Sequence, residues 1–130
     1  MGTHGPHYAR SDLEEDRGFG FAVIGAERFT DVAPAAIGDE IRRRVGERPV
    51  YVSVDIDVLD PAYACGTWTP EAGGISSREL LLVLRALRGV NLVGGDVVEV
   101  APAYDHAEIT SIAAAHVAYE MIALLTTASH

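Results

Sequence analysis

Three aspartates interrupt one of the most apolar stretches of the chain. Residues 50–63 read VYVSVDIDVLDPAY, and Asp55, Asp57 and Asp60 fall where a buried β-strand would end. A carboxylate in such surroundings is costly unless a cation or hydrogen-bond donors compensate its charge. Side chains alternate along a strand, so Asp55 and Asp57 are predicted to point to the same face. The pair predicts either a site for Mg²⁺, Mn²⁺ or Ca²⁺, or carboxylates that accept main-chain hydrogen bonds from the next loop.

The order of the segments predicts an α/β fold. Apolar runs at 21–26, 49–58 and 91–100 are typical of strands, and helical patterns separate and follow them. This alternation favours a parallel sheet with helices on both faces. In such sheets ligands bind beyond the carboxyl ends of the strands, which is where the acidic residues fall.

Two capping patterns in the sequence predict where helices begin. Ser76 and Glu79 have the spacing of a capping box, and the helix that follows carries Leu80, Leu84 and Leu87 on one side. Asp105 and Glu108 are interpreted most simply as caps of a last helix that reaches about Leu125. The apolar residues predicted to form its buried side are Ile109, Ile112, Val117, Met121 and Leu125.

The third strand offers two further carboxylates. Asp96 and Glu99 are an odd number of residues apart, so an ideal strand would put them on opposite faces. Glu99 lies nearer the carboxyl end and is the one predicted to share a pocket with Asp55 and Asp57. There it could orient a guanidinium or an amine through charge-assisted hydrogen bonds. The alternative is a glutamate bonded to the backbone amides of a neighbouring loop.

Composition limits the kinds of molecule that the protein is expected to bind. The net charge of −9 argues against nucleic acid and is compatible with a cationic ligand. Apolar runs are shorter than the roughly 18 residues of a membrane span, so no membrane association is predicted. The amino terminus has no apolar run typical of a secretory signal. With one cysteine, Cys65, these features predict a cytoplasmic protein.

Three ordered motifs carry a family resemblance. Residues 53–61, SVDIDVLDP, resemble the S-x-D-x-D-x-x-D-P signature of the ureohydrolases, the arginase and agmatinase family. Residues 69–74, TPEAGG, resemble the T-P-x-x-G-G stretch that follows it, and residues 96–102, DVVEVAP, resemble D-x-x-E-V-x-P. The version of these motifs is nearest to agmatinase-type and guanidinobutyrase-type members. The resemblance implies the carboxyl-terminal half of the three-layer α/β/α arginase-like fold, so that residues 1–130 would be one domain truncated on its amino-terminal side.

The resemblance also implies roles for individual residues. Asp55 and Asp57 would be ligands of a binuclear Mn²⁺ site, and Glu99 would bind the guanidinium of the substrate. Thr69 and Glu71 would line the substrate pocket, and Asp60 and Asp96 would support the site. The implied reaction is hydrolysis of an agmatine-like guanidino compound to urea and an amine, by a hydroxide that bridges the two metal ions.

The chain departs from the family pattern in two respects. Its sequence has neither the G-G-D-H nor the D-A-H-x-D segment that supplies the other metal ligands in relatives. Trp68 also stands where relatives commonly have glycine. We therefore expect the chain to form a homo-oligomer or to pair with a complementing amino-terminal half.

Two other functions are alternatives to a ureohydrolase. A haloacid-dehalogenase-type phosphatase also begins with D-x-D, but it requires D-x-D-G-T and a lysine, whereas Val58 and Leu59 follow here and the chain contains no lysine. A non-catalytic interaction module that kept the fold and lost the metal site is the remaining alternative.

Overall fold

The computed structural model describes residues 2–3, 15 and 18–127. Within them, the strands are β1 (Gly2–Thr3), β2 (Ile24–Gly25), β3 (Val50–Asp55) and β4 (Leu92–Val98). The α-helices are α1 (Pro34–Val45), α2 (Ser77–Ala86) and α3 (Ile109–Thr127). Of the predicted strand 21–26, residues 21–23 are irregular, Ile24–Gly25 form β2, and a 3₁₀ helix, Ala26–Thr30, takes up the end.

The strands form two parallel pairs, β1 with β2 and β3 with β4. In the longer pair Val52 lies opposite Gly95, Val54 opposite Val97 and Asp55 opposite Val98. Adjacent parallel strands connected through a helix are the arrangement that the β-α-β order predicts. The predicted α/β class with a parallel sheet is confirmed.

The two faces of the β3–β4 pair differ in their surroundings. Val52, Val54 and Val97 pack into the main core, together with residues of α2 and α3. Residues on the other face, such as Tyr51, Ser53 and Asp55, are exposed within the described part of the chain. Within the described part of the chain β3 is therefore buried on one face, and Asp55 stands on the open face rather than in a buried strand.

Helix α2 forms as its sequence predicts. The Ser76 hydroxyl accepts a hydrogen bond from the Glu79 N–H, while the Glu79 carboxylate accepts one of 2.7 Å from the Ser76 N–H. Leu80, Leu84 and Leu87 are all buried, as predicted. The capping box satisfies main-chain groups that a helix end leaves unpaired, and the leucines anchor α2 in the main core.

Helix α3 begins where predicted but presents a different face. Asp105 accepts hydrogen bonds from the Thr110 N–H, at 2.9 Å, and from the Ser111 N–H, at 2.7 Å, and therefore caps the helix. The buried residues are Thr110, Val117, Met121 and Leu124. The predicted burial of Ile109, Ile112 and Leu125 was wrong, since all three are exposed.

The apolar character of α3 extends around its circumference. Residues 106–127 are long and apolar enough to cross a membrane, a test that the core helix of a soluble protein also passes. Within the described part of the chain, α3 packs against β4 and α2.

Candidate active site

Strand β3 ends at Asp55, and a 3₁₀ turn, Ile56–Val58, carries Asp57. The alternation argument for the two aspartates is therefore wrong, because Asp57 is not in the strand. Instead the Asp57 N–H donates a hydrogen bond of 3.2 Å to Asp55 Oδ1, so Asp55 caps the turn. The turn brings the two carboxylates together at the carboxyl end of β3, which is the edge where α/β sheets bind ligands.

The loop after the turn reaches back to Asp57. The Thr69 hydroxyl donates a hydrogen bond of 2.7 Å to Asp57 Oδ2. A bond to an ionised acceptor orients that carboxylate more strongly than a neutral bond would. The structure thus brings together Asp55, Asp57 and Thr69, three of the residues singled out from the sequence.

Asp60 organises the same loop. Its two carboxylate oxygens accept hydrogen bonds from the Ala62 N–H, at 2.9 Å, and from the Gly73 N–H, at 3.0 Å. A Cβ atom at Gly74 would lie 2.5 Å from the Asp60 nitrogen, so this close approach requires glycine. Asp60 therefore holds the ends of the loop together, and its charge is compensated by main-chain amides.

Glu99 follows β4 directly and has a left-handed backbone, with φ of 64°. This conformation is uncommon and unfavourable for a residue with a Cβ, and it is concentrated at functional sites. The charges of Asp57 and Glu99 both act on Asp55. Partial desolvation, with these two charges, raises the pKa of Asp55, although the Asp57 N–H acts in the opposite direction. Asp57 and Glu99 are therefore both near enough to Asp55 for their charges to act on it.

Asp96 and Glu71 lie apart from these hydrogen bonds. Asp96 faces Ser53 within the sheet, and its Oδ2 accepts a hydrogen bond of 2.9 Å from the Tyr51 hydroxyl. That bond raises the pKa of Tyr51. The other oxygen, Oδ1, is buried and finds no hydrogen-bond partner among the described residues. Glu71 is exposed on the loop.

The carboxylates fit a hard divalent cation only in part. Asp55 Oδ2 and Asp57 Oδ1 accept no hydrogen bond from the N–H and hydroxyl groups of the described residues, which leaves one oxygen of each for a ligand. Within residues 2–3, 15 and 18–127, however, no three His, Cys, Asp or Glu side chains converge to hold a metal ion. Two carboxylates leave most of the coordination of Mn²⁺ to water or to other ligands.

Two aromatic residues, Trp68 and Tyr104, form a contact that the sequence did not predict. Trp68 precedes Thr69, and its ring lies 5.2 Å from that of Tyr104 in an edge-to-face arrangement. Trp68 is 65% exposed and Tyr104 60% exposed. The unusual tryptophan in the loop was a visible signal, but its partner is 36 positions away and leaves no local pattern.

The parallel strands with their helices define a protein of the α/β class. Its carboxylates lie at the carboxyl end of the strands, where proteins of this class bind ligands. Residues 1–123 match the model of the Arginase family, and the chain belongs to this family. This confirms the resemblance carried by the three motifs.

Relatives and solved structures agree with this assignment. The chain is 47% identical over 122 residues to proclavaminate amidinohydrolase from Streptomyces clavuligerus, covering 94% of this chain and 39% of the relative. The structure of that enzyme superposes with a TM-score of 0.89 at 46% identity, over 98% of this chain and 42% of the other. A hypothetical agmatinase from Burkholderia thailandensis superposes with a TM-score of 0.84 at 47% identity, over 95% and 38% of the two chains.

The solved structures confirm the arginase-like fold, and the relatives confirm that the family is one of amidinohydrolases. Agmatinase from Photorhabdus laumondii is 48% identical over 111 residues, which are 85% of this chain and 36% of that enzyme. The chain therefore spans about a third of the length of the curated relatives it matches, between 29% and 39% for the first three of them.

Proposed function

We propose that this chain supplies part of the active site of a manganese-dependent hydrolase of guanidino compounds, with an agmatine-like substrate and urea and an amine as products. The observation that carries the proposal is the group of Asp55, Asp57 and Glu99 at the carboxyl edge of β3 and β4, within an arginase-family sequence. Family members are generally metal-dependent.

Each residue has a distinct task in this proposal. Asp55 and Asp57 offer one unbonded carboxylate oxygen each to manganese, and Thr69 orients Asp57 through its 2.7 Å hydrogen bond. Manganese, when bound, lowers the pKa of water so that a nucleophile is available near neutral pH. Glu99 pairs with the guanidinium through charge-assisted hydrogen bonds and holds its carbon in place. Asp60 keeps the loop closed, while Glu71 and Asp96 line and support the pocket.

The overall reaction balances without another reactant. Water adds its oxygen to the guanidino carbon, and the bond between that carbon and the substituted nitrogen breaks. The leaving nitrogen takes up a proton and departs as an amine, while the carbon and its two other nitrogens leave as urea. Carboxylates around the cationic carbon stabilise the positive charge of the bound substrate.

Other ligands must complete the metal site. We propose that they come from a complementing amino-terminal half of the fold, or from another copy of the chain in a homo-oligomer. The open face of β3 and β4, with Tyr51 60% exposed, is available for such a partner. A cytoplasmic location is part of the same proposal.

The test combines metal binding with activity. Mn²⁺ binding to the chain is measured by titration calorimetry, and urea release from agmatine, guanidinobutyrate and arginine is measured for a chimera. In the chimera this chain replaces the matching segment of the Streptomyces amidinohydrolase. Activity that is lost in Asp55→Asn and retained in Asp31→Asn, an exposed residue outside the site, supports the proposal. A folded chimera that binds no Mn²⁺ and releases no urea contradicts it and favours the non-catalytic module.

A further inference from the structure

Tyr51 connects β3 to β4 on the open face of the sheet. Its ring lies over Gly94, since a Cβ atom at Gly94 would lie 3.0 Å from Cε2 of Tyr51. Its hydroxyl reaches two residues further along β4 and donates the 2.9 Å hydrogen bond to Oδ2 of Asp96. Gly94 therefore leaves the room that the ring occupies, and one side chain spans both strands.

This contact falls directly after an irregularity in the strand pairing. Val50 pairs with Leu92 and Tyr51 pairs with Gly94, so β4 has one extra residue, Val93, in this step. Such a β-bulge bends its strand and changes the direction of the side chains that follow. Tyr51 is therefore the first residue of β3 in the register that continues to the carboxyl ends of both strands.

That register determines which residues meet at the candidate site. Asp55 ends β3 and pairs with Val98, and Glu99 is the next residue of the chain. A strand rises about 3.3 Å per residue, so even a fraction of one residue is a large displacement for a hydrogen-bonding group. Any slide of the end of β4 along β3 would move Glu99 relative to Asp55 by the same distance.

The two faces of the strand pair hold β4 in different ways. On the core face Val54 and Val97 pack into the main core, and this packing sets which residues pair. On the open face the Tyr51 hydroxyl holds Asp96, whose other oxygen, Oδ1, is buried and finds no hydrogen-bond partner among the described residues. Asp96 lies three positions before Glu99, so this bond acts close to the end of the strand.

We propose that Tyr51 is a positioning residue, which acts through Asp96 on the end of β4 and so fixes the place of Glu99. The task of Glu99, pairing with a guanidinium, rests on the function proposed above. Asp55 and Asp57 both belong to β3 and the turn that follows it, so β4 does not set their place relative to each other. Tyr51 is therefore expected to affect binding of the guanidino substrate but not binding of Mn²⁺.

Amide hydrogen exchange of the chain itself tests the effect on β4 without any substrate. Tyr51→Phe keeps the ring and removes the hydroxyl. The amides of residues 96–99 are expected to exchange about 3- to 10-fold faster, the effect of one lost hydrogen bond, while those of α2 keep their rates. Tyr119→Phe, which removes an exposed tyrosine hydroxyl from α3, is the matched control and should change neither set. Faster exchange throughout the chain, or unchanged exchange at residues 96–99, overturns the inference.

The chimera with the Streptomyces amidinohydrolase tests the effect on the substrate. Tyr51→Phe should raise KM for agmatine about 3- to 10-fold and leave kcat and the Mn²⁺ affinity within about 2-fold, because it weakens ground-state and transition-state binding equally. In the Asp96→Ala background, Tyr51→Phe should raise KM no further, since the two residues act as one unit. Additive effects of the two substitutions, or a fall in Mn²⁺ affinity that matches the rise in KM, overturn the inference.

The two experiments keep this inference separate from the proposed function. An unmodified chimera that folds and releases no urea contradicts the proposed function, and the exchange rates of the chain then still decide whether Tyr51 holds the end of β4. An active chimera whose KM is unchanged by Tyr51→Phe leaves the hydrolase proposal standing and removes the positioning role.

Discussion

The hydroxyl of Thr69 donates a hydrogen bond of 2.7 Å to Oδ2 of Asp57, across 12 positions of sequence. The bond joins the loop to the turn that ends β3 and leaves Asp57 Oδ1 for another ligand. It is the contact through which the TPEAGG motif acts on the D-x-D motif.

Thr69→Val is expected to weaken Mn²⁺ binding by about 10- to 100-fold, because a residue that orients a metal ligand typically has an effect of this size. Titration calorimetry measures the change. Thr126→Val is the control, since the Thr126 hydroxyl bonds to the Ala123 carbonyl on the surface of α3. Equal affinities for Thr69→Val and the wild type would show that the bond does not position Asp57.

Asp55→Asn is expected to stabilise the metal-free chain at neutral pH. The pKa of Asp55 is raised above its ordinary value of 3.8 by desolvation and by neighbouring charges, so the folded state resists its ionisation. The folded state then binds more protons than the unfolded state, and stability falls as pH rises above about 4. Urea denaturation with a chelator at pH 7 should give a higher midpoint for the variant, and the gain should shrink toward pH 4.

Asp60→Ala, in the same loop, is expected to destabilise the metal-free chain. The Asp60 carboxylate accepts hydrogen bonds from the N–H groups of Ala62 and Gly73, so its removal should lower the urea midpoint of unfolding. If Asp55→Asn also lowers the midpoint at pH 7, the carboxylates are not mutually destabilising and the grouping of Asp55, Asp57 and Glu99 is wrong.

Acid should loosen the start of α3. Desolvation opposes the ionisation of Asp105, but the hydrogen bonds from Ser111 and Thr110 outweigh it and hold the pKa of Asp105 at about 2, below the ordinary 3.8. Its stabilising effect is complete above about pH 4 and is lost as pH falls toward 2. Asp105→Asn should therefore lower the urea midpoint at pH 7, and the difference from the wild type should narrow between pH 4 and pH 2. A constant difference over this range would contradict the assignment.

Gly66→Ala should destabilise the chain and disturb the aromatic pair. The added Cβ would lie 2.6 Å from Asp105 Cα, which is backbone and cannot move alone. A loss of about 1–3 kcal/mol in the free energy of unfolding is expected from such overpacking. Gly18→Ala, where nothing lies within 4 Å of the new Cβ, is the control and should change stability by less than about 0.5 kcal/mol. Thermal unfolding, followed by Trp68 emission, measures both.

The chain on its own should self-associate. Tyr119 and Ile122 on α3, and Tyr51 and Val93 on the sheet, are exposed apolar residues. Their removal from water favours association. Sedimentation should show mass above 13.8 kDa at micromolar concentration, and Ile122→Glu should reduce it. A sharp, concentration-independent melt of a monomer would contradict this expectation.

Features set by local sequence were predictable, while those set by distant contacts were not. The capping box of Ser76 and Glu79 depends on residues three apart, and it formed as expected. The face of α3 was missed because its apolar residues surround the helix axis, so the sequence does not mark one side as the buried one. The pairs Thr69–Asp57, Tyr51–Asp96 and Trp68–Tyr104 join residues 12 to 45 positions apart, and the periodicity of the sequence does not predict such contacts.

At the site, the sequence predicted which side chains lie together but not the backbone geometry that brings them there. Asp55 and Asp57 do lie together, but a 3₁₀ turn and not strand alternation brings them there. The turn is held by hydrogen bonds from the Asp57 N–H to the Asp55 carboxylate and from the Leu59 N–H to the Ile56 carbonyl, which a pattern of apolar residues does not reveal.

The left-handed backbone of Glu99 has a consequence for laboratory evolution. Glycine adopts φ of 64° without steric cost, whereas glutamate must be held there by its surroundings. A library screened for heat resistance alone would therefore enrich glycine at position 99 and discard the carboxylate along with the strain. Selection for thermal tolerance and selection for the proposed hydrolase activity would therefore favour different residues at position 99.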